Sequence, residues 1–476
     1  MLEYEIVIGL EVHAQLSTKT KLFCGCTTPF GDPPNTHGCP VCLGLPGSLP
    51  VLNRAAVEMA VRAGLALGCE INNKSIFARK NYFYPDLTKN YQISQYELPV
   101  CGPGKLPIVV DGEEFTIGVT RVHLEEDAGK LIHDLDPDSL FDVNRSGSPL
   151  IEIVSEPDMR SPAQAHAYLA ALKQILEYLG VCDCNMEEGS LRCDGNISLR
   201  PKGQQKFGTK TEIKNMNSFK NLEKALEYEA RRQEEVLRSG GTVEQQTYLW
   251  NPSENRSIPM RSKEDAHDYR YFPDPDLLPL VVETDWVEGV KKSLPELPGV
   301  RRRRFEDKYG ISAYAAEVLT GSRALADYFE QCVDKCADAK TASNWVMTDI
   351  MRMMNDGKIE SPFELKTTPE RLGRLIKLIN DGGVSAKAAK KVLDMMESEG
   401  KEPEAVVKEQ GLSQVSDASA LEAVVKQVVD AHPDEVQRYR GGDKKLTSFF
   451  MGQIMKASKG AANPKEVSAI LNRLLG

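Results

Sequence analysis

The sequence predicts an α+β chain: a mostly antiparallel sheet with a few helices over the first 290 or so residues, then two all-α domains. Three observations predict it. Segments of β-formers alternating with period 2 are confined to the first part. The Pro-rich Leu294-Pro295-Glu296-Leu297-Pro298-Gly299, followed by Arg301-Arg302-Arg303-Arg304, reads as a linker. Beyond it apolar residues recur at helical spacing and strand patterns disappear. The expected boundaries are 1–293 for the sheet domain, 294–402 for a helical domain and 403–476 for a small helical tail. The last break falls in the charged stretch Glu397–Glu404, which contains Gly400 and Pro403.

The first strand is the clearest element. In Ile6-Val7-Ile8-Gly9-Leu10-Glu11-Val12-His13-Ala14-Gln15 the even positions are apolar, and the odd ones end in Glu11, His13 and Gln15. Period 2 sets Glu11 and His13 on one face while the other packs into a core. Arg121-Val122-His123-Leu124-Glu125-Glu126-Asp127 and Leu150-Ile151-Glu152-Ile153-Val154 repeat the theme. Three carboxylate-bearing strands, two of them with imidazoles, suit a hard divalent cation and the phosphates it escorts. The plainer alternative is a water-facing sheet side.

Cys24-x-Cys26, twelve residues, then Cys39-Pro40-Val41-Cys42 has the spacing of a four-thiolate zinc site, with His37 a possible substitute ligand. A closed site of this kind staples a loop and does no chemistry. Cys182-x-Cys184 and Cys332-x3-Cys336 have no second pair nearby and read as buried thiols. Arg79-Lys80-Asn81-Tyr82-Phe83-Tyr84-Pro85-Asp86 is a basic-aromatic segment closed by a proline turn. It is either a hairpin with packed aromatics or a place where Lys80 or Arg79 meets phosphate or a reacting acyl group.

Ser161, Pro162 and Gly180 punctuate a helix as N-cap, first position and C-terminal stop. Its stripe of Ala165, Tyr168, Leu169, Leu172, Ile175, Leu176 and Leu179 should pack on the sheet. Two further strands, near 189–200 and 208–214, put Arg192, Asp194, Asn196, Ser198 and Arg200 on one face, and Lys210, Glu212 and Lys214 on another. A helix from about Phe219 to Ser239 ends at Gly240-Gly241; later helices start at Thr368-Pro369 and at Asn463-Pro464. Gly203-Gln-Gln-Lys-Phe-Gly208-Thr209-Lys210 is not a P-loop, because its lysine and hydroxyl residue are transposed.

The net charge of −10 argues against a nonspecific coat for nucleic acid. A basic patch nevertheless stands at the end: from Tyr439 onward seven basic residues, Lys456 and Lys459 among them, face only Asp443 and Glu466, a net of +5. No run of 18 apolar residues exists and the N-terminus is acidic, so a cytoplasmic chain with no membrane partner is expected. Eleven cysteines in that compartment imply thiols or metal, not disulfides.

These motifs together resemble the B subunit of the aspartyl/glutamyl-tRNA(Asn/Gln) amidotransferases. The resemblance rests on Ile8-Gly9-Leu10-Glu11-Val12-His13, Arg79 to Asp86, His123-Leu124-Glu125-Glu126-Asp127-Ala128-Gly129-Lys130 and Pro149 to Pro157. It continues through Met186 to Asp194 and Asp268-Tyr269-Arg270-Tyr271-Phe272-Pro273, and ends at Gly452 to Gly460. It implies a glutamine-synthetase-like cradle domain, a helical domain and a tail that touches tRNA. The activity it implies is that of a ligase forming carbon–nitrogen bonds with glutamine as amido donor. ATP and Mg²⁺ would activate the side-chain carboxylate of glutamate or aspartate misacylated on tRNA(Gln) or tRNA(Asn). Ammonia from an amidase A subunit would then displace phosphate, within a heterotrimer completed by a small C subunit.

On this sequence the resemblance makes Glu11, His13, Glu126 and Glu152 the Mg²⁺ set, although strand parity favours Glu125. It adds Lys80 as a catalytic cation, and Arg192 and Asp194, with Glu187 and Glu188, as lining for ATP or a tunnel. Zinc on Cys24, Cys26, Cys39 and Cys42 departs from family members without these cysteines, and is expected to support the fold or the tRNA acceptor end. Two other readings stay open: a non-catalytic tRNA-binding scaffold, and a ligase acting on a small carboxylic acid.

Overall fold

The structure, a computed structural model, describes residues 3–132, 136–260, 269–413, 418–458, 462 and 464–475. The chain divides into two compact units, Met1–Leu297 and Pro298–Gly476.

An eight-stranded sheet organises the first unit. In chain order its strands are β1 (Tyr4–Gln15), β2 (Gly104–Val110), β3 (Glu113–Glu126), β4 (Pro149–Ser155), β5 (Leu191–Pro201), β6 (Thr211–Lys214), β7 (Thr247–Asn251) and β8 (Arg256–Pro259). Their spatial order is β8-β7-β6-β5-β1-β4-β3-β2. All neighbours are antiparallel except β6 and β7, which run parallel. β1 lies between β5 and β4, opposing Glu11 to Asp194, and His13 to both Arg192 and Glu152. His123 in β3 opposes Glu152 from the other side.

The alternation read in β1 is the one the sheet uses. Ile8, Leu10, Val12 and Ala14 are buried in a core shared with four helices, α1 (Arg54–Ala66), α2 (Pro162–Leu179), α3 (Phe219–Arg238) and α4 (Thr284–Lys292). α2 starts and stops where its punctuation predicts: Ser161 Oγ accepts from the Gln164 amide at 3.2 Å, and Gly180 closes the helix at φ +65°. Helices on one face leave the odd positions of β1 on the other. Over that polar face lies a small sheet of Ala78–Asn81, Tyr91–Ser94 and Phe272–Pro273.

Among the described residues of the second unit every named element is a helix. One core runs from Phe305 to Val407 and another from Leu421 to Leu475. Helix Pro403–Glu409 buries Val406 and Val407 in the first of these, so the change of core falls beyond Leu412. Glu330 ties its helix to Arg301 and Arg304 at 2.6 Å and to Tyr309 at 2.8 Å. Thr368 caps the helix Pro369–Asn380, as its Thr-Pro start predicts. Asn463, the predicted cap of the last helix, lies outside the described residues.

Candidate functional site

Three adjacent strands bring His13, Glu125 and Glu152 together. His13 Nε2 lies 3.2 Å from Glu152 Oε2 and 3.4 Å from Glu125 Oε1. His123 Nε2 sits behind them, 3.6 Å from Glu152 and 3.7 Å from Glu125. Glu125 and His123 are each only 3% exposed. Burial of a carboxylate favours its neutral form, but the hydrogen bond from His123 and the nearby His13 outweigh it and hold Glu125 below the usual carboxylate range. Burial opposes ionisation of Glu152 too, yet His123, His13 and Lys80 pull it well below that range. The same carboxylates raise the His13 pKa against its own desolvation. Glu11 moves the opposite way: burial, then Glu152 and Glu212, push it up, while the Asn196 amide, donating at 2.9 Å, opposes them.

The structure does not bring Glu126 into this group. Its carboxylate accepts from Lys89 Nζ at 2.6 Å and from the Ile93 amide at 2.9 Å. Adjacent residues of a strand point to opposite faces, so Glu125, on the parity of His123, faces the imidazoles and Glu126 does not. Lys80 reaches toward Glu152 and rests 4.7 Å from the centre of the Tyr269 ring. Arg79 is taken up by Asp274 and Asp276, both at 2.8 Å, and tethers the small sheet. Arg192 pairs with Asp127 at 2.8 Å, and Asp194 with Lys214 at 2.7 Å. Both line the polar face beside His13 and Glu11 but are already partnered within the sheet. Glu187 and Glu188 sit on an exposed turn.

A hard cation fits the central group. One ligand atom from each of His13, Glu125 and Glu152 lies within 4.8 Å of the others. Two carboxylates and an imidazole nitrogen gathered this closely are donors that a divalent ion such as Mg²⁺ would accept.

The four-cysteine loop is a separate centre. Its sulfurs also lie within 4.8 Å of one another. Cys39 and Cys42 Sγ are 3.8 Å apart, the edge of a tetrahedron whose centre stands about 2.3 Å from each sulfur. The Cys24 thiol favours the Cys42 thiolate; burial opposes it, and the Cys39 amide and Lys21 add to the thiolate's support. Lys21 is completely buried, donating to the His37 carbonyl at 2.7 Å and lying 3.7 Å from Cys42 Sγ. A buried cation beside clustered thiols suits the negative charge of a four-thiolate zinc site. His37 is occupied by Asp32 and Thr27 and does not join the sulfurs.

Sequence reasoning did not anticipate the tyrosines above the acids. Tyr82, Tyr269 and Tyr271 form edge-on contacts, and Tyr96 stacks on Tyr271. Burial and then Asp86 and Glu125 raise the Tyr82 pKa, while burial and then Glu125 and Glu152 raise that of Tyr271. The signal available in the sequence was the run of aromatics in 82–84 and 269–272.

Fold and site define a chain that presents carboxylates and imidazoles together on one face of an antiparallel sheet. A family model described as the GatB/GatE catalytic domain matches residues 6–288, and one described as the GatB domain matches residues 327–475. The aspartyl/glutamyl-tRNA(Asn/Gln) amidotransferase B subunit of Carboxydothermus hydrogenoformans is 54% identical over 475 residues, covering 99% of this chain and 98% of that protein. Its counterpart in Chlorobium chlorochromatii is 55% identical over 474 residues, covering both chains in full. That of Geobacter sulfurreducens is 54% identical, again over both full lengths. The chain belongs to the family of aspartyl/glutamyl-tRNA amidotransferase B subunits. Among the described residues no helix is long and apolar enough to cross a membrane.

Proposed function

We propose that this chain is the carboxylate-activating component of a tRNA-dependent amidotransferase, converting Glu-tRNA(Gln), Asp-tRNA(Asn) or both to the amide. Full-length similarity to proteins of that name supports the reaction. The observation that carries the site is the convergence of His13, Glu125 and Glu152 from three strands. A carboxylate is a poor acyl donor, so it must be phosphorylated before ammonia attacks. Phosphoryl transfer needs positioning and charge neutralisation more than covalent help. Mg²⁺ held by His13, Glu125 and Glu152 would supply that neutralisation to ATP. Glu11 and Lys80 flank the group, Lys80 as a mobile point charge for the phosphoryl or acyl oxygens. Arg192 and Asp194, held by Asp127 and Lys214, shape the neighbouring face for the nucleotide. The roof of tyrosines keeps water from an acyl phosphate that would otherwise hydrolyse.

In this reading the sheet unit is a cradle like that of glutamine synthetase, and the basic terminal region contacts tRNA. Lys456 is exposed there, whereas Lys459 lies outside the described residues. Ammonia comes from an A-type amidase with a small C-type companion, and Zn²⁺ on the four cysteines staples the loop 24–42. The test is substrate dependence. With ammonium and ATP, the assembled complex should form amide from Glu-tRNA(Gln) or Asp-tRNA(Asn) and not from free glutamate or aspartate. Amidation of the free acids at equal rate would favour a small-acid ligase.

A further inference from the structure

The aromatic roof continues outward, beyond what carboxylate activation uses. Ser94 Oγ donates to Glu125 Oε2 at 3.3 Å. Two residues on, and so no more than about 7 Å along the chain, stands Tyr96. One face of its ring is stacked on Tyr271, with centroids 4.4 Å apart and planes 5° from parallel. With that face covered, Tyr96 is still 51% exposed. Tyr271 meets Tyr269 edge-on at 6.1 Å, and Tyr269 meets Tyr82 at 5.7 Å. A line of four tyrosines thus leads from the acidic group to an open ring face.

We propose that Tyr96, backed by Tyr271, is the stacking platform for the terminal adenine of the acyl-tRNA 3′ end. This rests on the function proposed above. The reacting side chain is esterified to the terminal ribose, and its carboxyl carbon can lie only about 6 Å from the ribose oxygen. With the carboxylate held beside Glu125 and Glu152, that short tether keeps the terminal base near the group, within reach of the segment that carries Tyr96 two residues beyond Ser94. A ring already stacked on one side is held in a single orientation, so less freedom is lost when a purine adds to the other side. Stacking reads no base edge. The platform therefore serves tRNA(Gln) and tRNA(Asn) alike, and leaves discrimination between them to other contacts.

The test uses the assembled complex with ammonium as nitrogen donor. Tyr96→Ala should raise the KM for misacylated tRNA about tenfold, in line with loss of one base–aromatic stack, while Tyr96→Phe keeps the wild-type KM. A tRNA carrying 2-aminopurine in place of its terminal adenine should be quenched on binding the wild-type and Tyr96→Phe complexes and stay bright with Tyr96→Ala. If Tyr96→Ala proves misfolded by its melting curve, Tyr96→Leu carries the test and should show the same loss. Unchanged KM and full quenching in the folded Ala or Leu variant would overturn the platform. Failure of the wild type to amidate misacylated tRNA would instead overturn the function above, and quenching of non-acylated tRNA would still read the platform by itself.

Discussion

The two groups of metal-type donors in the first unit are built in opposite ways. His13, Glu125 and Glu152 come from β1, β3 and β4, whose register is fixed by backbone hydrogen bonds and by a core of Ile8, Leu10, Val12 and Ala14 on the far face. Cys24, Cys26, Cys39 and Cys42 come from a single stretch with little regular structure, rich in proline and glycine. The sheet holds the first set whether or not an ion is bound, so an ion there adds charge to a finished scaffold. The loop lacks such a ladder, being tied through side chains such as Asn35 to Asp142 and Val143 and Asn144 to His37, and an ion there would add to those ties. Donor chemistry alone does not separate a working centre from a structural one; what holds the donors apart does.

The sharpest way to break this comparison is to neutralise one donor of each kind. Glu125→Gln should lower amide formation about 100-fold, the scale of losing one electrostatic contact in a transition state, and shift Tm by no more than a few degrees. Cys39→Ser should do the reverse. It should abolish zinc in metal analysis and lower Tm by about 5–10 °C, with turnover of the folded fraction within twofold. Full metal content and unchanged Tm in Cys39→Ser would remove zinc from the account.

A third region sharpens the contrast, because Glu330 stabilises by charge without any ion. Burial opposes its ionisation, but Arg304, Tyr309 and Arg301 outweigh it and bring the carboxyl from 4.5 to about 2. A folded-state pKa below the unfolded value means that stability is present above about 4.5 and lost as the pH falls through about 2. Glu330→Gln should therefore cost about 2 kcal/mol at pH 7, read by denaturant unfolding, and the gap from wild type should close in acid. A gap independent of pH would show that packing, not charge, holds this helix. The smallest effect belongs to the tail: Lys456→Ala should flatten the salt dependence of tRNA binding by about one unit of slope.

What the sequence makes legible is local. The alternation of β1 and the Ser161-Pro162 start of α2 each depend on neighbours within a few residues, and both appear where they are expected. The roof is not legible, because it pairs the segment holding Arg79 with that holding Asp274, 195 residues away, and nothing local encodes that meeting. The same holds for the parallel pairing of β6 with β7 across α3. Glu125 and Glu126 show the limit within the site. Strand parity alone points to Glu125, and resemblance to Glu126; the geometry that separates them is the partner set of Lys89 and the Ile93 amide, supplied by the strand Tyr91–Ser94 and the turn before it.

The most direct test of the central claim, that carboxylate activation resides on this sheet face, is ADP release by the assembled complex with ammonium as nitrogen donor. It should be measured with and without misacylated tRNA, for wild type and Glu152→Ala. The account predicts ADP from the wild type only when misacylated tRNA is present, and none above background from Glu152→Ala. ADP release that survives the substitution would place the kinase elsewhere and leave this chain as a holder of tRNA.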